Sequence, residues 1–450
     1  MCSRRYNISL FRVVISNRKS LPRRFLFQIG LVNQLCGQGS NPRAHEVNAL
    51  SGTNAKHHIL IAGGGIGGLS AGLALLKRGF DVDIFEQAAK LKGFGAGVQL
   101  SPNGTRVLFE LGLSDELNNI ACQPKGKEIR LWNTGQTWNL FDLGAESVAR
   151  FGFPYVMIHR GDLHNILAEA VRREKPGAIH LNAVCAGCTQ DERWVTLNLA
   201  DGTQVTGDAL VGADGVHSKI RQTLFGEDHP KFSGCLAWRG VIPADRLPAH
   251  LLRNVGTNWI GPGSHVIHYP LRRGELMNFV GIVERDDWQV ESWTEQGTIE
   301  ECARDFSGWH EDVHRLIRNL GTPYKWALMV REPMKRWTVG KISLLGDACH
   351  PTLPMLAQGG VMAIEDGYML ARCFESYDVV ETALARYEAA RSERTRKIVE
   401  GSATNARRFH NPTLAQQETA TKYISEEFTE ERIQDRYNWL FEYDVTKAAI

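Results

Sequence analysis

His58-Ile59-Leu60-Ile61-Ala62-Gly63-Gly64-Gly65-Ile66-Gly67-Gly68-Leu69, followed by Val82-Asp83-Ile84-Phe85-Glu86, is the stretch that decides the fold. The apolar run 58–62 reads as a buried parallel strand that enters the glycines directly. Leu69, Ala71, Leu73, Ala74, Leu75 and Leu76 then continue as a helix toward Gly79, a C-terminal stop. Each glycine has a separate task in such a unit. Gly63 permits the tight turn, Gly65 lets backbone approach a pyrophosphate, and Gly68 lets helix and strand pack closely. The helix N-terminus offers free N–H groups and positive partial charge to phosphates. Glu86, at the end of the second strand, is placed to accept from ribose hydroxyls, which favours an unphosphorylated ribose. The unit predicts a bound dinucleotide without separating FAD from NAD.

Three further regions make that choice. Gly93-Phe94-Gly95-Ala96-Gly97-Val98-Gln99-Leu100-Ser101-Pro102-Asn103 is rich enough in glycine for backbone to pass close to a flat ring, with Gln99 a candidate cofactor contact; alone it also reads as a surface loop. Asp208 to Ala213 has a strand pattern ending in Asp214-Gly215, followed by Ser218 and Arg221. Ile342-Ser343-Leu344-Leu345 is a second buried strand, and Gly346-Asp347-Ala348-Cys349-His350-Pro351 turns out of it. Asp347 therefore stands at a strand's carboxyl end, where open α/β sheets bind ligands. Leu356-Ala357-Gln358-Gly359-Gly360 then opens a helix whose first N–H groups suit the negative charge of a reduced isoalloxazine. Together, in this order, the features predict FAD.

This constellation, over about residues 56 to 400, resembles the single-component flavoprotein aromatic hydroxylases of the p-hydroxybenzoate hydroxylase fold. Within that class it looks most like salicylate hydroxylase, 3-hydroxybenzoate 6-hydroxylase and 6-hydroxynicotinate 3-monooxygenase, through Gly95 to Asn103, Trp259 to Arg272 and Gly346 to Asp366. The resemblance implies that Gly63, Gly65, Gly68 and Glu86 hold the ADP half, that Asp214 and Gly215 lie near the cofactor, and that Gly346 and Asp347 contact the ribityl chain. His159-Arg160-Gly161-Asp162-Leu163 is similar to the family's cofactor-contacting arginine element, which nominates Arg160. The chemistry implied is a flavin C4a-hydroperoxide formed from O₂, with NADH or NADPH as the hydride source. No second glycine fingerprint is present, which fits a family in which nicotinamide binds transiently. Arg391, Arg394, Arg396 and Lys397 read as a solvated helix face rather than a nicotinamide site.

An electrophilic oxygen requires an electron-rich ring, and a phenol becomes one when a base removes its proton. On a strand, His265-Val266-Ile267-His268-Tyr269 puts His265, Ile267 and Tyr269 on one face and His268 on the other. The family's relatives aim a His and a Tyr at this spacing toward substrate, so His265 is the expected base and Tyr269 its hydrogen-bonding partner; a structural histidine is the alternative. His350 is the next candidate base, although its turn beside the flavin explains it adequately. A substrate carboxylate calls for arginine, with Arg106, Arg239 and Arg272 undecided. Pro354-Met355, where relatives carry His or Gln near this turn, tilts the substrate toward salicylate.

The expected architecture is α/β: a Rossmann-like FAD-binding domain from 56–126, 154–230 and 337–400, an interleaved β-sheet substrate domain from 127–153 and 231–336, and a helical C-terminal region 401–450. Eight of the eleven tryptophans fall between Lys127 and Arg150 or Phe232 and Arg336, which suits the core and a wall for a planar ligand. Composition, 43% hydrophobic and 23% charged, excludes general disorder, and no apolar run nears the roughly 20 residues of a membrane span. Eight Lys/Arg precede the first acid, Glu46; the rest of the chain holds 44 basic against 50 acidic residues, which argues against nucleic-acid binding. Residues 1–55 read as a leader, either a mitochondrial transit peptide or a non-native tail from an upstream start, so the expected location is cytoplasmic with a mitochondrial alternative. Nine scattered cysteines, Cys185 and Cys188 being the one close pair, read as thiols of a reducing compartment. Monomer and homodimer stay open. Two rivals to the hydroxylase are a halogenase, through Trp238-Arg239-Gly240-Val241-Ile242-Pro243 with Gly240 in place of a second Trp, and a flavin-binding protein without turnover.

Overall fold

The computed structural model describes residues 56–91, 96–287 and 295–450; the leader, Gly93 to Gly95, Trp288 and Trp293 lie outside the described residues. A six-stranded sheet runs in the order Thr338–Val339, Ile342–Leu344, Ala209–Gly212, His58–Ala62, Asp81–Phe85 and Ile179–His180. Its pairs are parallel except at the Thr338–Val339 edge. Ile59 to Ala62 are fully buried, as expected of a central strand covered on both faces. The register sets Ala62 opposite Gly212 and Gly212 opposite Leu344. Because parallel strands all release their loops at the same edge, the turns at Gly63, Asp214 and Gly346 emerge side by side although they are far apart in sequence.

Helix Ile66–Leu76 covers this sheet and packs on helix Gly359–Ser376 through small residues. A Cβ on Gly367 would lie 2.6 Å from the Ala71 nitrogen, and one on Gly67 2.7 Å from Leu345 Cδ2. The two helices therefore touch nearly backbone to backbone, with their N-termini at the same edge as the strand ends.

A second, seven-stranded sheet runs in the order Tyr324–Val330, Lys231–Pro243, Leu276–Glu284, Ser264–Leu271, Gly256–Gly261, Gly126–Leu131 and Thr137–Asp142. Strand alternation gives it two different faces. Trp238, Trp259, Val266 and Phe279 form one face and pack with Phe306, which ends the helix Ile299–Asp305, and with Leu316 of the helix Glu311–Arg318. Cross-strand pairing of His265 with Ile282, Ala237 with Ile282 and Trp326, and Arg239 with Val280 puts these residues together on the opposite face. A short antiparallel pair, Gly97–Leu100 with Val156–His159, joins the sheets, and the Gly97 N–H donates to Asn278 Oδ1 at 2.6 Å.

The C-terminal helices are anchored differently from expectation. Val380–Phe409 is one helix of 30 residues, so the division drawn at residue 401 falls inside it. Arg391 and Arg394 are buried rather than solvated, because positions 391, 394, 395, 398 and 402 share the face turned to Gly359–Ser376; Arg396 and Lys397 face solvent. Arg391 donates to Asp366 Oδ1 and Glu365 Oε2, both at 2.7 Å, and Arg394 donates to both Glu365 oxygens at 3.0 and 2.9 Å. The network continues to Asn103, 2.6 Å from Glu365, and to His350, 2.7 Å from Asp366. Burial pushes both carboxyls up, but the arginines, with His350 at Asp366, more than offset it and hold them below the ordinary range. A depressed carboxyl pKa stabilises the fold above the unfolded value, and this contribution is lost as pH falls through the folded one. Arg391→Met, which takes their shared partner from two buried carboxylates and leaves Glu365 to Arg394 and Asp366 to His350, is expected to cost about 3 kcal/mol in urea unfolding at pH 7, and less at a pH low enough to protonate them.

Candidate active site

The glycine turn divides its tasks by position. Gly63 has φ +107°, and a Cβ there would sit 2.3 Å from the Ala213 oxygen. A Cβ on Gly68 would lie 2.0 Å from the Gly63 oxygen, whereas one on Gly65 would meet nothing within 4 Å. The first two glycines serve the fold, and the third keeps a surface of backbone open for a ligand. Gly360 and Gly215 likewise face open space, Gly215 at φ +78°, and Gly346 turns at φ +64°. Neither Ile66–Leu76 nor Gly359–Ser376 has a side-chain cap on its first turn, so both N-termini keep donors for a ligand. Open backbone and two uncapped helix ends at one sheet edge fit the pyrophosphate and the flavin ring of FAD.

Side chains tie the cradle together. Glu86 accepts from Gly64 N–H at 2.8 Å and Ala88 N–H at 2.9 Å, one on each oxygen, which leaves lone pairs for a ribose. Asp214 accepts from Ser218 Oγ at 2.5 Å and from the amides of Lys219 and Ile220, so it anchors the first turn of the helix Lys219–Phe225, whose N-cap is Ser218. Burial pushes the Asp214 pKa up against those bonds. Arg221 joins the turns at Asp214 and Gly346 by donating to Val216 O at 2.7 Å and Ala348 O at 2.8 Å. Arg160 begins the helix Arg160–Glu174; burial lowers its pKa while the Asp347 carboxylate pulls it up.

A cavity of about 230 Å³ lies between the cradle and the second sheet. Gln99, Asp347, Pro354, Gly359 and Gly360 bound it on one side, and His265, Tyr269, Arg239 and Trp326 on the other. Met355 is not in this wall: it is buried among Met362 and Ile398, and its carbonyl accepts from Asn405 Nδ2 at 3.0 Å. The reason is the 3₁₀ turn Pro354–Leu356, which rotates successive side chains by about 120°. His350 lies outside the cavity wall, in the network with Asp366. Burial pushes the Cys185 and Cys188 thiols up to about 12 and 11, which suits inert thiols.

The three candidate arginines separate. Arg106 pairs with Asp444, and Arg272 makes two 2.8 Å bonds to Asp162. Arg239 alone of the three reaches the cavity, its guanidinium 3.5 Å from the centre of the Trp326 ring. Burial, with the Arg160 charge adding, pushes its pKa down to about 9, as expected of a cation whose surroundings favour an anionic neighbour. Trp326 was not singled out from sequence; its alternation with Lys325 and Ala327 in an apolar strand gave no signal beyond core.

Tyr269 lies against Gly97, where a Cβ would fall 2.6 Å from its ring. Gln99, held by the Tyr155 hydroxyl at 2.8 Å, also bonds Tyr269; burial raises the phenol's pKa, with Arg239 and Gln99 pulling it back. His265 is fully buried, and its Nε2 has no hydrogen-bond partner among the described residues. Burial, reinforced by His410, holds its pKa well below the ordinary value, so the imidazole is neutral at pH 7. A neutral ring in the cavity lining, its Nδ1 engaged by His410, has the Nε2 lone pair left to accept a proton. The glycines allow a direct test of the cradle: Gly65→Val should leave the flavin-free protein within about 0.5 kcal/mol of the parent in urea unfolding, yet weaken FAD binding at least tenfold by fluorescence titration.

Residues 56–402 match the model of the family described as FAD binding domain. The chain is 38% identical, over 86% of its length and 96% of the relative's, to 3-amino-4-hydroxybenzoate 2-monooxygenase of Streptomyces platensis. It is 36% identical to 6-hydroxynicotinate 3-monooxygenase of Pseudomonas fluorescens, over 76% and 89% of the two chains. The fold matches a salicylate hydroxylase substrate complex with a TM-score of 0.72 at 25% identity, covering 88% of this chain and 97% of that one. No helix among the described residues is long and apolar enough to cross a membrane. With the cradle, the opposed sheet and these relatives in agreement, the chain belongs to the FAD-dependent aromatic monooxygenases of the FAD-binding-domain family.

Proposed function

We propose that this chain hydroxylates a phenolic aromatic acid, taking electrons from NADH or NADPH and oxygen from O₂. The observation that carries the reading is the single cavity in which Arg239, His265 and Tyr269 face the glycine cradle. Bound FAD would supply the reduction and activation of O₂, held at its ADP half by Glu86 and by the turn that Gly63 and Gly68 shape and Gly65 leaves open, and by Asp347, Gly359 and Gly360 near the ring. The chain's own contribution is to bind, orient and deprotonate. Arg239, stacked on Trp326, receives the ring carboxylate, while His265 Nε2 takes the phenol proton and Tyr269, positioned by Gln99, holds the same oxygen. Buried surroundings on both sides keep water from competing for the activated oxygen.

The substrate panel follows from these features. Salicylate leads it on the Pro354 argument, and 3-hydroxybenzoate, 6-hydroxynicotinate and 3-amino-4-hydroxybenzoate complete it. The decisive assay is oxidation of NADH or NADPH stimulated by one of these acids, with the product identified; CO₂ release with catechol would settle salicylate. His265→Asn should keep FAD and lose coupled hydroxylation by about 10²–10⁴-fold, the range of a general base. Arg239→Met should chiefly raise KM, by about ten- to a hundredfold for a lost charge-assisted pair. Unchanged coupled turnover in the first variant, or unchanged KM in the second, would remove that residue from its role.

A further inference from the structure

His265 does not stand alone behind the cavity. Its Nδ1 lies 2.6 Å from Nε2 of His410, and His410 Nδ1 lies 2.8 Å from Glu284 Oε1. The cavity end of this row is fully buried, the His410 side chain is 1% exposed, and the Glu284 side chain is 55% exposed. The row therefore leads from the cavity wall to solvent in two hydrogen bonds.

Its alignment follows from the sheet. His265 pairs with Ile282, and Glu284 is two residues further along that strand, so His265 and Glu284 share a face. His410, which follows the helix Val380–Phe409, closes the gap between them, with its carbonyl accepting from Gly263 N–H at 3.1 Å in the turn before the His265 strand. The ring of Phe409 lies 5.3 Å from that of His265 and itself stacks on Phe428, which keeps apolar surface around the pair. The ionisable neighbours that act on His410 are His265 from one strand and Glu284 from the next.

We infer that His265, His410 and Glu284 form a proton relay that carries the substrate's phenol proton from the closed cavity to solvent. This rests on the reading of His265 as the base. The tautomers are mutually consistent: with Nε2 of His265 bare, its Nδ1–H donates to His410 Nε2, and His410 Nδ1–H donates to the Glu284 carboxylate. In the transfer, the phenol O–H breaks as an N–H forms at His265 Nε2. The His265 Nδ1–H breaks as one forms at His410 Nε2, and the His410 Nδ1–H breaks as an O–H forms on Glu284, which gives its proton to water. One proton leaves and phenolate remains. The reverse sequence reprotonates the product and restores both tautomers. Passing the proton on solves a difficulty that His265 alone would have, since a buried imidazole beside a second imidazole is a poor place to keep a positive charge. His410 and Glu284 are thus positioning residues that act through His265.

The test uses FAD-loaded protein without NADH, so that no turnover occurs, mixed in a stopped-flow instrument with 3-hydroxybenzoate or 3-amino-4-hydroxybenzoate and a pH-indicating dye. The parent should release a proton as the ultraviolet band of the phenolate appears. His410→Gln should bind the same acids with proton release slowed at least tenfold, and Glu284→Gln should slow it several-fold. In His410→Ala, added imidazole should restore the rate, which a merely structural role would not allow. Release at the parent rate in the His410 variants, no rescue by imidazole, or no release by the parent with either acid would overturn the relay. If the His410 variants release normally and His265→Asn does not, the base stands and the relay falls; normal release in His265→Asn removes both.

Discussion

Everything at the site depends on three parallel strands ending at one level. Ala62, Gly212 and Leu344 are neighbours in register, so the turns after them, though Ala62 and Leu344 are 282 positions apart in the chain, share one edge. Two helices that begin at that edge can pack backbone to backbone because Gly67 and Gly367 lack side chains. Their uncapped N-termini then stand next to the turn glycines. A cofactor site made of backbone is rigid, and a rigid flavin is what allows a separate sheet to place a substrate against it.

That second sheet contributes chemistry through strand parity. Alternation separates a tryptophan-rich core face from a face carrying Arg239, His265, Tyr269 and Trp326. The two sheets are kept in position at the seam by the Gly97 to Asn278 hydrogen bond and by the close packing of Tyr269 on Gly97. The C-terminal helices lock the arrangement from outside. Arg391 and Arg394 neutralise Glu365 and Asp366 on the helix that starts at Gly359, so the helix end that borders the cavity is braced by buried ion pairs. Such pairs add less to net stability than their number suggests, but removing one partner leaves a charge with nowhere to go. Their value here is in fixing the helix in one position.

Much of this was legible in the sequence because it follows local rules. Gly63 and Gly68 are required by close backbone approach, and the parity of His265 and Tyr269 is a consequence of strand geometry alone. What the sequence concealed depends on partners distant in the chain. Arg391 resembles any exposed helical arginine until Glu365 and Asp366 are seen beneath it, and Arg106, Arg239 and Arg272 differ in what surrounds them, not in their local patterns. Met355 follows Pro354 directly, yet a 3₁₀ turn sends it into the core. His410, 145 residues from His265, carries no local mark of its position at all.

The central claim is that this cavity joins a deprotonated aromatic acid to one atom of molecular oxygen. It is tested most directly by turnover under ¹⁸O₂ in unlabelled water with the acid that best stimulates NADH or NADPH oxidation. The account predicts a product carrying one ¹⁸O atom in its new hydroxyl. A product whose new hydroxyl comes from water, or reduced nicotinamide consumed with hydrogen peroxide as the sole oxygen product for every acid in the panel, would contradict it.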